Sequence, residues 1–559
     1  MIRARGGFRA QCWYPGTRTI AAGVSLWCTA TLHAQAGPAP GSLPAQTFDV
    51  IVYGGTAGGV IAAVSAARMG LSVALVEPSH HLGGMTTGGL SATDHGTRIV
   101  IGGYALEFYQ RIGGKYGMPL WWYPEPKVAE EALNDMITEA KTVRVFFGQP
   151  LREHGGVIKK GTVIQEIVTA KGDHLRAKLF LDSGYEGDLM AQAGVSYTIG
   201  RENVSKYGET LAGVRPKDKN HQFDVRVASR DQRGRLLPEI SPRPQGEVGS
   251  GDARVQAYNF RLILTNNKKN QTPFTRPAAY DPHRYEVLRR FIEAVQRERG
   301  TPPTLGELFL VRDDLPWFKA DFNNRGPFST DYIGHSYGYP DGSYSQRVTI
   351  WRDHVSYAKG LLFYLANDPH VPIVLRDEMK NWGLARDEFV DNGNWPYQLY
   401  IREGRRMVGD FVMTQRDIQT DLTKSDAIAM GSYSSDSHNV QRFEQADRTV
   451  QNEGNMEVPV EPYQIPYRVM LPSRTQVTNL LVPVCLSASH VTYSTLRMEP
   501  QYMMIGQAAG VAAALAISED VPVQEIDITA LHRILKGAGM VDKYDSTTAP
   551  NVPRFSPIR

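Results

Sequence analysis

The run Phe48-Asp49-Val50-Ile51-Val52-Tyr53 is rich in apolar and β-branched residues and predicts a buried strand. It breaks at Gly54-Gly55-Thr56-Ala57-Gly58-Gly59. Val60 to Met69 then carries small and apolar residues at helical spacing, with Gly70 as a stop. Leu71 to Val76 predicts a second strand, ending in Glu77. Farther on, Val145 to Leu181 sets Val157, Val163, Ile164, Ile167 and Val168 between glycine-containing turns, the pattern of an antiparallel insert. Asn479 to Val484 predicts another strand. A helix follows from about Gln501, with Met504, Ala508, Val511 and Leu515 on one face and Pro500 in its first turn. A last helix is expected near Ile528 to Lys536, ahead of a polar tail. No internal repeat, heptad pattern or long low-complexity tract interrupts this order.

Strand, glycine-rich turn, helix, strand and acid follow one another within about 30 residues. In that order the glycines let the backbone approach a pyrophosphate at the helix N-terminus, and the acid accepts from a ribose diol. Gly54, Gly55, Thr56, Ala57, Gly58, Gly59 and Glu77 are therefore candidate dinucleotide-binding residues. Thr56 stands where the middle glycine is usual, which alters the phosphate approach. A further helix and strand would be expected after an acid that binds NAD. Instead the chain runs into His80-His81-Leu82-Gly83-Gly84-Met85-Thr86-Thr87-Gly88-Gly89-Leu90. Gly83, Gly84, Gly88 and Gly89, with Met85 and Thr86 among them, suit backbone laid flat against a large planar ring.

This is the arrangement of flavoproteins, and the chain resembles the FAD-dependent oxidoreductase family that shares its architecture with succinate dehydrogenase and fumarate reductase flavoproteins. More narrowly it is similar to an exported bacterial branch often labelled xanthan lyase-related. The blocks that carry the likeness include Leu181 to Leu189 with Ala193-Gly194-Val195, Asp321 to Asn324, Phe328 to Asp331, Glu403 to Gly409, Gly431 to Arg442, and Asn479 to Ala514. Ser183-Gly184 replaces the usual Ala-Thr in the first of these. The resemblance implies an α/β fold: a Rossmann-like, glutathione-reductase-like FAD-binding domain, split in sequence, with an inserted α+β cap. Residues 47–200 and 410–520 would form the FAD part and 201–409 the cap, with 521–559 a terminal helix and tail. It adds Asp188, Gly506 and Gln507 to the cofactor-binding set. It also implies that the late helix aims its N-terminus at the flavin, where the helix dipole favours negative charge. In the succinate dehydrogenase relatives FAD is attached through an imidazole, which draws attention to His80 and His81, although their spacing to the following glycines differs by a residue.

A flavin enzyme must orient a substrate and move a proton. His490 and His438 are the first candidates for the proton, Arg497 for clamping an anion or carbonyl, and Arg347 is a weaker one. Each histidine can equally be a buried residue satisfied by its neighbours, and Arg497 a structural partner of Glu499. Arg402, Glu403, Arg405 and Arg406 read as an anion site, a solvated helix face or an ion-pair cluster. Trp121-Trp122-Tyr123 and Trp395-Pro396-Tyr397 can stack on sugars or fill a core. No Cys or His cluster has metal-ligand spacing. Electrons would leave to O₂, a quinone or a carrier protein.

Composition narrows the class. The 559 residues carry 61 Lys and Arg against 58 Asp and Glu, too balanced for a protein that binds nucleic acid by neutralising phosphates. Arg3, Arg5, Arg9 and Arg18 precede an apolar run from Ile20 to Leu32 and the small-x-small triplet Ala34-Gln35-Ala36. That reads as a signal peptide over 1–36, with 37–46 a linker, and predicts a periplasmic or extracellular protein without a membrane span. The expected activity is hydride transfer between FAD and a small organic substrate, carbohydrates among the candidates. Rival readings are a reductase of an activated double bond fed by a partner, a polysaccharide lyase, and a flavin-binding protein without catalysis.

Overall fold

The computed structural model describes residues 45–545. The expected signal peptide, nearly all of the linker and the end of the polar tail lie outside the described residues. The first strand, β1, runs Gln46–Tyr53, so it begins inside the stretch expected to be linker. Its last four residues are almost wholly buried, as their apolar run requires. Helix α1 (Ala57–Arg68) carries the chain across to β2 (Val73–Glu77), which lies parallel to β1 with Val50 opposite Val73. After α2 (Gly103–Lys115) and α3 (Pro126–Glu139), β3 (Val143–Phe147) adds in parallel to β2. β4 (Val157–Lys160), β5 (Val163–Val168) and β6 (His174–Asp182) form the expected antiparallel insert.

β6 has two roles along its length. Its first residues pair with β5, while nearly its whole length runs parallel to β1. The sheet order is thus β3-β2-β1-β6-β5-β4, and a strand from far down the chain, Leu480–Leu481, joins β6 in parallel beside Phe180 and Leu181. This is the doubly wound arrangement in which ligands bind beyond the carboxyl ends of the strands.

A second sheet holds β7 (Leu262–Thr265), β8 (Gln271–Thr272), β9 (Phe309–Leu315), β10 (Lys319–Asn324) and β11 (Gly383–Ala385), in the order β9-β10-β7-β11-β8. It packs in a core with the long helix α4 (Tyr344–Asn367), through Leu262, Leu264, Phe322, Tyr357 and Leu361.

The chain then returns to the first sheet. α5 (His490–Leu496) is a short buried helix that the sequence pattern did not predict, and α6 (Glu499–Glu519) follows with Pro500 in its first turn. α6 is long and apolar enough to cross a membrane, yet its residues from Glu499 to Ala516 are all buried inside the fold. Small residues explain where it lies. A Cβ on Gly506 would sit 2.1 Å from the Gly58 carbonyl oxygen, so only glycine lets α6 cross α1 this closely. α7 (Ile528–Gly537) closes the described chain, as its periodicity predicts.

Candidate functional site

The strand-to-helix turn builds the first site. Gly54 has φ +96°, and a Cβ there would meet the Gly184 amide at 2.5 Å, so the turn requires glycine on both counts. Thr56 explains its departure from the usual glycine: it is the N-cap of α1. Its Oγ1 accepts from the Gly59 amide at 3.1 Å and donates to the Ser183 carbonyl at 2.9 Å, tying the turn to the end of β6. Glu77 closes the turn from β2, accepting from the Gly55 amide at 2.7 Å and the Ser79 amide at 2.6 Å. Burial pushes its carboxyl above the ordinary range.

These groups open on a cavity of about 400 Å³ lined by Tyr53, Gly54, Thr56, Glu77, Gly84, Thr87 and Gly184, among others. Tyr344, Arg347 and Trp351 of α4 line it too, so the second half of the molecule forms one wall of the groove. The fit to a dinucleotide is direct. A helix N-terminus offers positive potential, glycine clears the approach at the turn, and a carboxylate stands at the end of the second strand.

The predicted cofactor set divides here. Gly54, Thr56, Glu77, Gly84 and Asp188 line the groove, whereas Gly55, Ala57, Gly58 and Gly59 shape the turn behind it. Of the glycine-dense stretch, Gly83 donates to the Gly55 carbonyl at 2.7 Å, while Gly88 and Gly89 close on Gln398 and on the Arg261 carbonyl. Met85 is a core residue, and Thr86 donates to Glu499 at 3.0 Å. Gly506 and Gln507 are occupied by packing instead: Gln507 accepts from the Tyr104 amide at 2.7 Å, and neither lines the groove.

Glu499, the first residue of α6, is buried and accepts from Tyr185 at 2.8 Å as well as from Thr86; burial pushes it up to about 7. His81 lines the groove with its ring stacked on Tyr397 at 3.4 Å, between Glu130 and Asp391.

A second cavity, of about 570 Å³, opens beside the far sheet. His221, Gln222, Asn323, Asn324, Asp436 and His438 are among its largely polar lining. His438 follows the short strand Ser435–Ser437 and is 9% exposed. Asp331 Oδ2 lies 2.6 Å from its Nδ1 and Asp436 Oδ1 3.7 Å from its Nε2. Burial and the Arg402 guanidinium push the imidazole pKa down, but the two carboxylates more than offset them and raise it above its ordinary value. Arg497 holds Asp436 at 3.0 Å and donates to the Tyr400 hydroxyl at 3.1 Å. It does not pair with Glu499.

His490 lies between the strand Leu480–Leu481 and α6. It starts α5, 3% exposed, with Nδ1 2.8 Å from Glu403 and Nε2 3.3 Å from the Ser437 hydroxyl. Both ring nitrogens are engaged and it lines neither of the two cavities, so of the two histidines His438 is the one placed to meet a substrate.

Arg347 likewise serves as a clip. Its guanidinium holds Asp188 at 2.7 and 2.9 Å and donates to the Tyr339 and Pro340 carbonyls, leaving little to offer a substrate. The Arg402 to Arg406 segment is neither helix nor solvated. Arg402 meets Asp331, Arg405 meets Asp188 and the exposed Asp341, and Arg406 meets Glu202 and Glu403; all but the Asp341 pair are buried or nearly so. Trp121, Trp122 and Trp395 are core. In the sequence Asp331 stands only as the end of the Phe328 to Asp331 block, and nothing marks out His221. Neither has a local signal, since both meet His438 only through the fold.

A family model described as FAD dependent oxidoreductase matches residues 49–535. No curated protein matches the chain. Among solved structures it is similar to OxyS anhydrotetracycline hydroxylase from Streptomyces rimosus, at 12% identity over 34% of this chain and 40% of that one, with a TM-score of 0.22. It is similar to L-amino acid deaminase from Proteus vulgaris at 15% identity, 29% and 54% coverage and a TM-score of 0.21. For the thioredoxin reductase of T. acidophilum the values are 23%, 24% and 34%, and 0.16. The chain spans less than two thirds of each, and likenesses this shallow say nothing of substrate.

Proposed function

The chain belongs to the FAD dependent oxidoreductase family, and on that premise we propose that it transfers a hydride between FAD and a small polar organic molecule seated beside His438. Bound FAD supplies the two-electron chemistry. Gly54, Thr56 and Glu77 hold its dinucleotide part, with the α1 N-terminus offsetting phosphate charge. His438 holds or moves the substrate proton at Nε2, the ring nitrogen nearer the cavity-lining Asp436. Asn323, Asn324 and His221 orient polar groups from the cavity wall.

The observation that carries this reading is an imidazole set between two carboxylates on the wall of the 570 Å³ cavity. The polar lining suits a hydroxylated molecule, carbohydrate included. The buried tryptophans do not contribute to that preference. The basic, then apolar, N-terminal stretch supports export, which would place the reaction outside the cytoplasm with O₂, a quinone or a carrier protein taking the electrons.

Anaerobic mixing of the FAD-loaded protein with sugars and small hydroxy acids should bleach the flavin with at least one class. His438→Asn should slow that bleaching by roughly 10²–10⁴-fold at unchanged FAD content. Bleaching at the native rate in His438→Asn would overturn the role given to this residue.

A further inference from the structure

An imidazole can present only one nitrogen to a substrate, and the bond made by the other decides which one and in what tautomer. His438 makes that bond to Asp331, whose Oδ2 is 2.6 Å from Nδ1. Asp331 is 3% exposed and sits in the segment after β10, more than a hundred residues away in sequence. It is itself ion-paired, with Arg402 Nη2 3.2 Å from its Oδ1. Arg402 is held in turn by the Ala257 carbonyl at 2.6 Å and the Asn259 side-chain oxygen at 3.1 Å. From the other side, the His438 amide donates to Gln256 Oε1 at 3.0 Å. Backbone and ring are thus both fixed, while Nε2, 3.7 Å from the cavity-lining Asp436, makes no close bond to it.

We propose that Asp331 is the positioning residue of this site: it holds the Nδ1–H of His438 and so turns Nε2 toward the cavity. The inference rests on the reading of His438 as the proton-transfer group. His490 shows what is specific to His438. It too has a carboxylate on Nδ1, from Glu403, but its Nε2 meets the Ser437 hydroxyl inside the core and faces no described cavity.

The charged and titratable groups facing His438 are Asp331, Asp436, Arg402 and His221, whose ring is nearly parallel to it at 6.2 Å, with Arg497 behind Asp436. Neutralising Asp331 would remove the nearest carboxylate and leave the Arg402 guanidinium facing the ring uncompensated. Both changes disfavour the imidazolium.

The test uses the FAD-loaded protein with histidine labelled with carbon-13 at Cε1, the His438 resonance being assigned by its loss in His438→Asn. In Asp331→Asn the His438 titration should fall by at least about 1 pH unit, and its neutral form should leave the Nδ1–H tautomer. Asp331→Glu, which keeps the carboxylate and guards against a variant that fails to fold, should restore more than half of the fall. The pH midpoint of anaerobic flavin bleaching should move with the resonance.

An unchanged titration and tautomer in Asp331→Asn would overturn the proposal, as would Asp331→Glu behaving no better than Asp331→Asn. The resonance reads the Asp331–His438 coupling without any substrate. A coupled titration alongside native-rate bleaching in His438→Asn would therefore overturn the catalytic reading alone.

Discussion

The dinucleotide groove and the His438 cavity are built by opposite means. The groove is a matter of backbone fit. Thr56 caps a helix, Gly54 takes a left-handed turn, and Gly506 lets one helix rest on another, so its specificity lies where side chains are small or missing. The cavity side is a matter of buried charge, with Asp331, Arg402, Asp436, Arg497 and His438 held in pairs beneath it. One region tolerates little added volume and the other little loss of charge. The two should therefore respond differently to the same operation, removal of a single buried charge.

Lys319 gives the largest expected effect. It lies on β10, 1% exposed, with Nζ 2.6 Å from Glu388, 2.8 Å from Asp387 and in close contact with Glu125 at the N-cap of α3. This ammonium joins the second sheet to the first half of the molecule and sits in the middle of the only carboxylate cluster among the described residues compact enough for a metal ion. Lys319→Met would leave Glu125 and Glu388 buried with only the partly exposed Lys127 ammonium, 3.4 and 3.8 Å away, as a cation. Breaking such a group costs about 3–5 kcal/mol, so chemical denaturation at neutral pH should show a loss of that order. A loss below about 1 kcal/mol would show that water and Lys127 replace the lost ammonium, and that buried charge in this half of the molecule can be removed cheaply.

Glu499 should give the opposite sign. Its carboxyl is buried behind the groove with two hydroxyl donors and, among the described residues, no paired cation, and its folded pKa is raised from 4.5 to about 7. The folded state therefore binds more protons than the unfolded state between those values, and this group's contribution to stability is lost as pH rises through that window. Glu499→Gln keeps the shape and removes the ionisation. The variant should match the parent near pH 5 and exceed it at pH 8, by at most about 3 kcal/mol. Melting curves at the two pH values decide it. If the variant is weaker than the parent at pH 8, the carboxylate is stabilised there by a group not seen in the structure.

The same contrast explains what the sequence made legible. The turn from Val50 to Glu77 is contiguous, so its strand, cap, glycines and acid could be read in order, and the helix after Pro500 announced itself by its small residues. The cavity is assembled from the 220s, the stretch from Phe291 to Pro327 and the 430s, and no periodicity connects His438 to Asp331 or Arg402. For the same reason His490 looked as promising as His438. Only the fold shows that one faces a cavity and the other a buried carboxylate and a serine. The Arg402 to Arg406 segment is dense in charge, which in sequence looks like a surface, but each cation finds its acid in a different element. The tie of Arg347 to Asp188 is not legible either, because it forms only where α4 folds over the groove, a contact between residues some 160 apart in the chain.

Thr56 provides the smallest and most local test of the backbone-fit side. Its hydroxyl makes two bonds at once, accepting from the α1 amide of Gly59 and donating to the Ser183 carbonyl of the neighbouring strand end. Thr56→Ala removes both and should cost about 1 kcal/mol, in the range of a lost helix cap. FAD should be held several-fold more weakly, because the turn that lines the groove loses its tie to β6. Thr56→Ser retains the hydroxyl and should recover both properties. Thr56→Gly supplies the residue more usual at this point in such turns and should recover part of the stability, since glycine is a tolerable N-cap, but not the bond to Ser183. Measuring FAD release by fluorescence across the three variants separates cap from tether. If Gly holds FAD as well as Thr, the helix start alone governs the groove; if only Ser does, the tie between turn and strand end sets it.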